Sequence, residues 1–245
     1  MKALKQLKNP IVVDKEPVIE QLITDAIDEH LQKRNKPALK KVNGFHPSYT
    51  NQCQRYWNYL FQGVEVQTSF KSQTYRIFDN GHAVHERLYS YFREMGILVA
   101  EEIPVTYGTP PIEGTADGII EWYGRKLIEL KSISAEGFHY RQLYNKPKDD
   151  HYRQAQIYLR CLDLDSGYVI YENKNNQEIL PVFIERDDAF VDKLFKKYNT
   201  IYTDFQNGDM PKHPYKRSSA HCASCDLAEM CWSEGAQNES KEEPF

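Results

Sequence analysis

Apolar residues recur along this chain with two periods. Between positions 17 and 34 they fall at Val18, Ile19, Leu22, Ile23, Ala26, Ile27 and Leu31, which is the stripe of an amphipathic helix with Pro17 near its first turn. Residues 35–47 read as a basic linker and residues 48–62 as a helix carrying Cys53. A third helix spans 77–92, with Phe78, Gly81, His85, Leu88, Tyr89 and Phe92 at helical spacing. The period then shortens. Strands are expected near 97–107, through 114–131, and at 166–172 and 178–185 around a polar turn, 173–177. Helices return at 151–162 and 187–206, and 134–148 reads as a mobile connection. This order predicts an α/β fold, a mixed central sheet flanked by helices. A single domain is expected over 1–235, with an N-terminal helical part (1–76), a core (77–206), a C-terminal cysteine-bearing segment (207–235) and a disordered acidic tail (236–245).

The segment 114–131 carries the chemistry. Its turn lies around Trp122-Tyr123-Gly124, and a three-residue loop commonly places glycine in the left-handed conformation. That loop pairs Glu121 with Arg125, Ile119 with Leu127 and Asp117 with Glu129. A two-residue loop would shift the register and send Asp117 to the opposite face. Glu129 and Lys131 share a face, so two carboxylates and an ammonium converge. Facing carboxylates repel unless a cation lies between them, and hard oxygen ligands suit magnesium or manganese. Such a cation polarises a phosphate and acidifies a bound water. The competing reading is a solvated Glu–Lys strand face. His85 lies on an apolar helix face, where histidine is more often a core residue, yet imidazole is the kind of third ligand the hairpin lacks. Gln154 and Tyr158 lie one turn apart on the 151–162 helix, as an amide and phenol able to hold a phosphate or the lysine, or as a plain polar edge.

Together Gly81-x-x-x-His85, Gly-x-x-Asp117, Glu129-x-Lys131 and Gln154-x-x-x-Tyr158, in that order, resemble the RecB-type nuclease domain of the PD-(D/E)XK superfamily. The resemblance implies a restriction-endonuclease-like core. It implies metal ligation by His85, Asp117, Glu129 and the Leu130 carbonyl, Lys131 as the catalytic lysine, and Gln154 and Tyr158 near DNA. Ala116 stands where the superfamily pattern has proline.

There are five cysteines, an odd number with no secretory leader pattern, which argues against a disulfide framework. Cys161, among leucines, reads as an apolar core residue. Cys53 and the close triplet Cys222, Cys225 and Cys231 have the character of metal ligands, for zinc (with His221 as an alternative donor) or for an iron–sulfur cluster. One cysteine before the nuclease motifs and three after them resembles the iron–sulfur branch, the CRISPR adaptation nucleases and AddB-type domains. That resemblance implies a 4Fe-4S cluster joining the N-terminal part to the C-terminal part.

A net charge of −4 gives no general attraction to DNA, so binding requires a local basic channel. Arg141, Lys146, Lys148 and Arg153, interleaved with Tyr140, Tyr144 and Tyr152, form the cluster nearest the Gln154 helix. The cluster Lys33-Arg34, Lys36, Lys40-Lys41 reads as a solvated face. The sequence contains no membrane-length apolar run and no signal-type start, so a cytoplasmic, reduced protein is expected. The expected activity is metal-dependent exonuclease action on DNA. The alternatives are a noncatalytic DNA-binding subunit with the same fold and a zinc-stapled endonuclease. The acidic tail ending in Pro-Phe is a candidate protein-docking peptide.

Overall fold

A computed structural model describes residues 19–35, 38–66 and 70–233. Pro17, Val18, Lys36 and the acidic tail lie outside the described residues. The elements run α1 (Ile19–Gln32), β1 (Ala38–Lys40), a 3-10 turn (Pro47–Tyr49), α2 (Gln54–Gln62), β2 (Val64–Val66) and α3 (Ser72–Glu94). There follow β3 (Leu98–Tyr107), β4 (Ile112–Glu121), β5 (Arg125–Ile133), α4 (Ala135–Tyr144), α5 (Asp149–Cys161), β6 (Ser166–Asn173), β7 (Ile179–Glu185), α6 (Asp188–Asn207), α7 (Ala220–Ala223) and α8 (Ala228–Ser233).

Strands β3 to β7 form one sheet in sequence order. Neighbours are antiparallel except β5 and β6, which run parallel from Leu127–Gly167 to Ile133–Asn173. A parallel pair needs a crossover, and α4 and α5 provide it. β5 is central and buried on both faces: Leu127, Ile128, Glu129 and Leu130 are all at 0 % exposure. Ile128 and Leu130 pack with Val84, Leu88 and Tyr89 of α3. Leu127 packs on the other side with Ala155, Tyr158 and Leu159 of α5. The sheet is thus sandwiched between α3 and α5, which is the expected α/β fold.

The hairpin has the expected register as far as Gly118–Ile128, and the expected Asp117–Glu129 pair is not part of the ladder. Glu121 pairs with Arg125, Ile119 with Leu127 and Gly118 with Ile128. Gly124 has φ +93°, and Tyr123 shares the left-handed region at φ +49°.

A third apolar cluster joins the ends of the chain. Phe45 stacks on Tyr198 at 4.2 Å, and Trp57, Leu60 and Phe61 of α2 pack with Val191, Phe195 and Ile201 of α6 and with Leu227. No described helix is long and apolar enough to cross a membrane.

Four local expectations change. The 48–62 helix is split: Pro47 starts a 3-10 turn, and Cys53 is the N-cap of α2 instead of an interior residue. The linker 35–47 contains β1, which pairs with β2. The third helix starts five residues earlier than expected, at Ser72. The segment 134–148 is mostly α4, capped at its start by Ser134 Oγ, which accepts the Gly137 N–H, and ended by Asn145 in the left-handed conformation. Only Phe138 of this helix is buried, so it has no apolar stripe for periodicity to reveal.

Candidate metal and nucleic-acid site

Beyond Gly118 and Ile128 the hairpin ladder gives way to a side chain. Asp117 Oδ2 accepts the Leu130 backbone N–H at 2.6 Å. This contact fixes the carboxylate against β5 at the step that faces Glu129. Lys131 Nζ lies 2.5 Å from Glu129 Oε1. The other Glu129 oxygen, Oε2, is buried and has no hydrogen-bond partner among the described residues. An unpartnered carboxylate oxygen at 0 % exposure is costly unless a cation satisfies it.

The electrostatics are those of a compressed pair. Burial, opposed by Lys131, pushes the Asp117 carboxyl up to about 6. Burial and the nearby Asp117 push Glu129 up to about 7. Burial would lower the Lys131 ammonium, but Glu129 and Asp117 outweigh it and hold its pKa above the ordinary lysine value.

His85 comes from α3 on the other side. Its Nε2 is 3.1 Å from the Leu130 carbonyl oxygen, and its Nδ1 is 3.9 Å from Asp117 Oδ1. The His85–Leu130 contact is a hydrogen bond in which Nε2–H donates to the carbonyl, so Nδ1 is the nitrogen whose lone pair stays free for a metal. Burial and then Lys131 lower the His85 pKa, which favours the neutral, ligating imidazole. The ligand atoms that converge are those of His85, Asp117 and Glu102, a nitrogen–oxygen set that suits a hard divalent cation, and Glu129 is not in that group.

Two residues outside the expected set complete the wall. Glu102 on β3 has φ +47°, a conformation rarely adopted by residues with side chains. Its carboxylate, His85 and Asp117 each offer a ligand atom within 4.8 Å of the others. Tyr89 Oη lies 2.9 Å from Glu102 Oε1 and 2.8 Å from the Asp117 carbonyl oxygen, bracing both strands. The register shift between Leu98 and Ala100 sets which β3 residue meets the site, and alternation alone does not reveal that bulge.

Tyr158 reaches the same centre from α5. Burial and then Glu129 raise its pKa, and it hydrogen-bonds Gln154 and the Thr115 backbone. Gly114 makes room for it: a Cβ there would lie 2.9 Å from both Tyr158 Oη and Pro47 Cδ.

The basic set divides. Arg141, Lys146, Lys148 and Arg153, with Tyr140, Tyr144 and Asn51, line a groove of about 550 Å³. The Arg141 guanidinium stacks 4.4 Å over Tyr140, and Tyr140 lies 4.5 Å from Tyr144. Arg141 and Lys148 also line an adjoining hollow with His151 and Tyr171. His151 Nδ1 lies 3.0 Å from Tyr171 Oη, and burial, then Lys131, pushes the imidazole down to about 4. Tyr152 packs edge-on against Phe190 at 5.3 Å, away from the groove lining.

Four cysteines gather on the far side of the aromatic cluster. Cys53, Cys225 and Cys231 are partly buried against it. Burial pushes the Cys53 thiol up to about 11, with Cys225 and Cys231 adding to the shift. Tyr215 is close enough to feel both Cys53 and Cys222. His221 stacks on Tyr215 at 4.3 Å, whereas His213 is the imidazole beside a thiol, with Nδ1 3.7 Å from Cys231 Sγ. Cys161 is shared between two apolar clusters, as its leucine neighbours imply. Among the described residues, no three thiols lie within 4.8 Å of one another.

The sheet order, the flanking α3 and α5, and a buried pair of carboxylates at the β4–β5 step define a mixed α/β core. An alkaline exonuclease from Laribacter hongkongensis has a similar fold, with a TM-score of 0.54 at 18% identity over 74% of this chain and 93% of that one. SSO0001 is similar at a TM-score of 0.50 and 21% identity, over 88% of this chain and 96% of that one. No protein-family model matches the chain, and no curated protein does.

Proposed function

We propose that this protein is a magnesium- or manganese-dependent deoxyribonuclease of the RecB-like iron–sulfur type, acting on DNA ends or single strands. The observation that carries the reading is the buried Glu129 carboxylate, whose Oε1 meets the Lys131 ammonium and whose Oε2 has no partner among the described residues. With the Asp117 carboxylate nearby, one lysine leaves that second oxygen unsatisfied, which a divalent cation would remedy. The fold shared with an alkaline exonuclease supports the same reading.

His85, Asp117 and Glu102, whose ligand atoms converge, would hold the cation, with Glu129 beside Asp117 and the Leu130 carbonyl as further donors. When bound, it polarises the scissile phosphate and lowers the pKa of the attacking water. Lys131 offsets the charge that grows on the phosphate oxygens, and burial strengthens that effect. Gln154 and Tyr158 hold the backbone phosphate beside it. The Arg141, Lys146, Lys148 and Arg153 groove leads the strand in through charge, while Tyr140 and Tyr144 offer stacking faces. Tyr152 contributes by fixing α5 against Phe190.

Cys53, Cys222, Cys225 and Cys231 hold a 4Fe-4S cluster that ties residues 1–76 to 207–235 around the 77–206 core, in a reducing cytoplasm. The cluster's binding free energy adds to folding.

The test uses protein purified without oxygen, on end-labelled linear and on circular DNA, each single- and double-stranded. Degradation of linear but not circular DNA with manganese, and none with a chelator, supports the reading. Intact DNA under every condition favours a noncatalytic DNA-binding subunit.

A further inference from the structure

We propose that Arg55 is the positioning residue of the four-cysteine centre, its buried guanidinium being the positive charge against which the Cys231 sulfur is held. This rests on the iron–sulfur reading above.

Arg55 is 6 % exposed. Its Nε donates to Cys231 Sγ at 3.1 Å, one terminal nitrogen donates to the Pro211 carbonyl at 2.7 Å, and the other donates to Tyr59 Oη at 2.9 Å and reaches the Cys231 carbonyl at 3.5 Å. No carboxylate is among these partners. The surface arginines behave differently: Arg34 pairs with Asp79, Arg93 with Glu101, and Arg186 with Asp163. A cation removed from water without an anion is strongly disfavoured. The sulfur that Arg55 contacts is Cys231 Sγ. A neutral thiol is a poor acceptor, so the Arg55–Cys231 contact gains its strength once Cys231 is ionised by a metal centre.

The placement is economical in sequence. Cys53 caps α2 and Arg55 lies in its first turn, so one turn presents both a ligand and its counter-charge. The same guanidinium bridges to Pro211 and Cys231, so it also orients the C-terminal segment. An N–H donor and a positive charge beside a ligating sulfur stabilise the reduced, more negative cluster and raise its potential.

The test compares wild type, Arg55→Lys and Arg55→Met as full-length protein purified anaerobically. The readouts are iron and acid-labile sulfide content, the midpoint potential, and the rate of iron loss to a chelator. Arg55→Met is expected to shift the midpoint negative by at least a tenfold change in the one-electron equilibrium, about 59 mV. It is also expected to lose iron at least threefold faster, with Arg55→Lys between the two. Wild type grown on 15N-arginine is expected to show nitrogen coupling in pulsed EPR of the reduced cluster, and this decides the matter even if Arg55→Met does not fold. Iron-loaded wild type without that coupling, or variants with unchanged potential, would overturn the role of Arg55 alone. Wild type lacking iron and sulfide would overturn the cluster and Arg55 with it.

Discussion

Asp117 Oδ2 accepts the backbone N–H of Leu130 at 2.6 Å, so a side chain continues the β4–β5 ladder beside the Glu129 carboxylate. Asparagine can make the same contact without the charge. Asp117→Asn should therefore fold normally and relieve the repulsion with Glu129. At pH 8 without metal it is expected to be more stable than wild type by about 1 kcal/mol, the trade-off expected when a strained functional site is neutralised. Metal should no longer raise its melting temperature. Paired thermal melts with chelator and with manganese check both.

The pH dependence has a defined sign. Asp117 and Glu129 are pushed up to about 6 and about 7, from ordinary values of 3.8 and 4.5. Between those limits the folded chain holds protons that the unfolded chain has released. Metal-free stability is therefore full below about pH 4 and falls as pH rises through 7. Metal needs both carboxylates ionised, so the stabilisation by manganese should grow over the same window. Denaturation midpoints from pH 5 to pH 8, with and without manganese, should diverge. Parallel curves would contradict the shifts.

Tyr89 braces the proposed metal site without belonging to it, through contacts at 2.8 Å and 2.9 Å to Asp117 and Glu102. Tyr89→Phe keeps the ring in its apolar cluster and loses both. Loss of such outer contacts typically costs 10–100-fold in metal affinity. A manganese titration should show a loss of about tenfold, with stability lowered by about 1 kcal/mol.

The hairpin and its consequences were legible in the sequence because they depend on local rules: alternation over 114–131 and a glycine at position 124. The pairing of Glu121 with Arg125 follows from them. The parts that were not legible depend on tertiary context. Glu102 is aimed by a bulge in β3, α4 is held by a cap and a single buried phenylalanine, and Cys53 is moved to a helix cap by the turn that Pro47 starts. His151 and Tyr171 are brought beside Lys131 by the parallel pairing of β5 with β6, which no local pattern encodes. Arg55 lies close in sequence to Cys53, but its contact with Cys231 spans 176 positions.

Gly114 tests the packing of the phenol into the site. Gly114→Ala brings a methyl group within 2.9 Å of Tyr158 Oη and Pro47 Cδ. Overpacking of this kind typically costs about 1–3 kcal/mol. Chemical denaturation should show that loss. The Gly114→Ala, Tyr158→Phe double variant should recover part of it, since the colliding hydroxyl is gone.

The most direct test is single-turnover cleavage of linear DNA with manganese at pH 8, comparing wild type with Lys131→Met. The Lys131 ammonium lies against Glu129 at 2.5 Å, and methionine keeps its bulk without its charge. The expected result is a rate at least about a hundredfold lower in the variant, the scale of losing one preorganised charge-stabilising group, with DNA still bound. Equal rates for the two proteins would contradict the account.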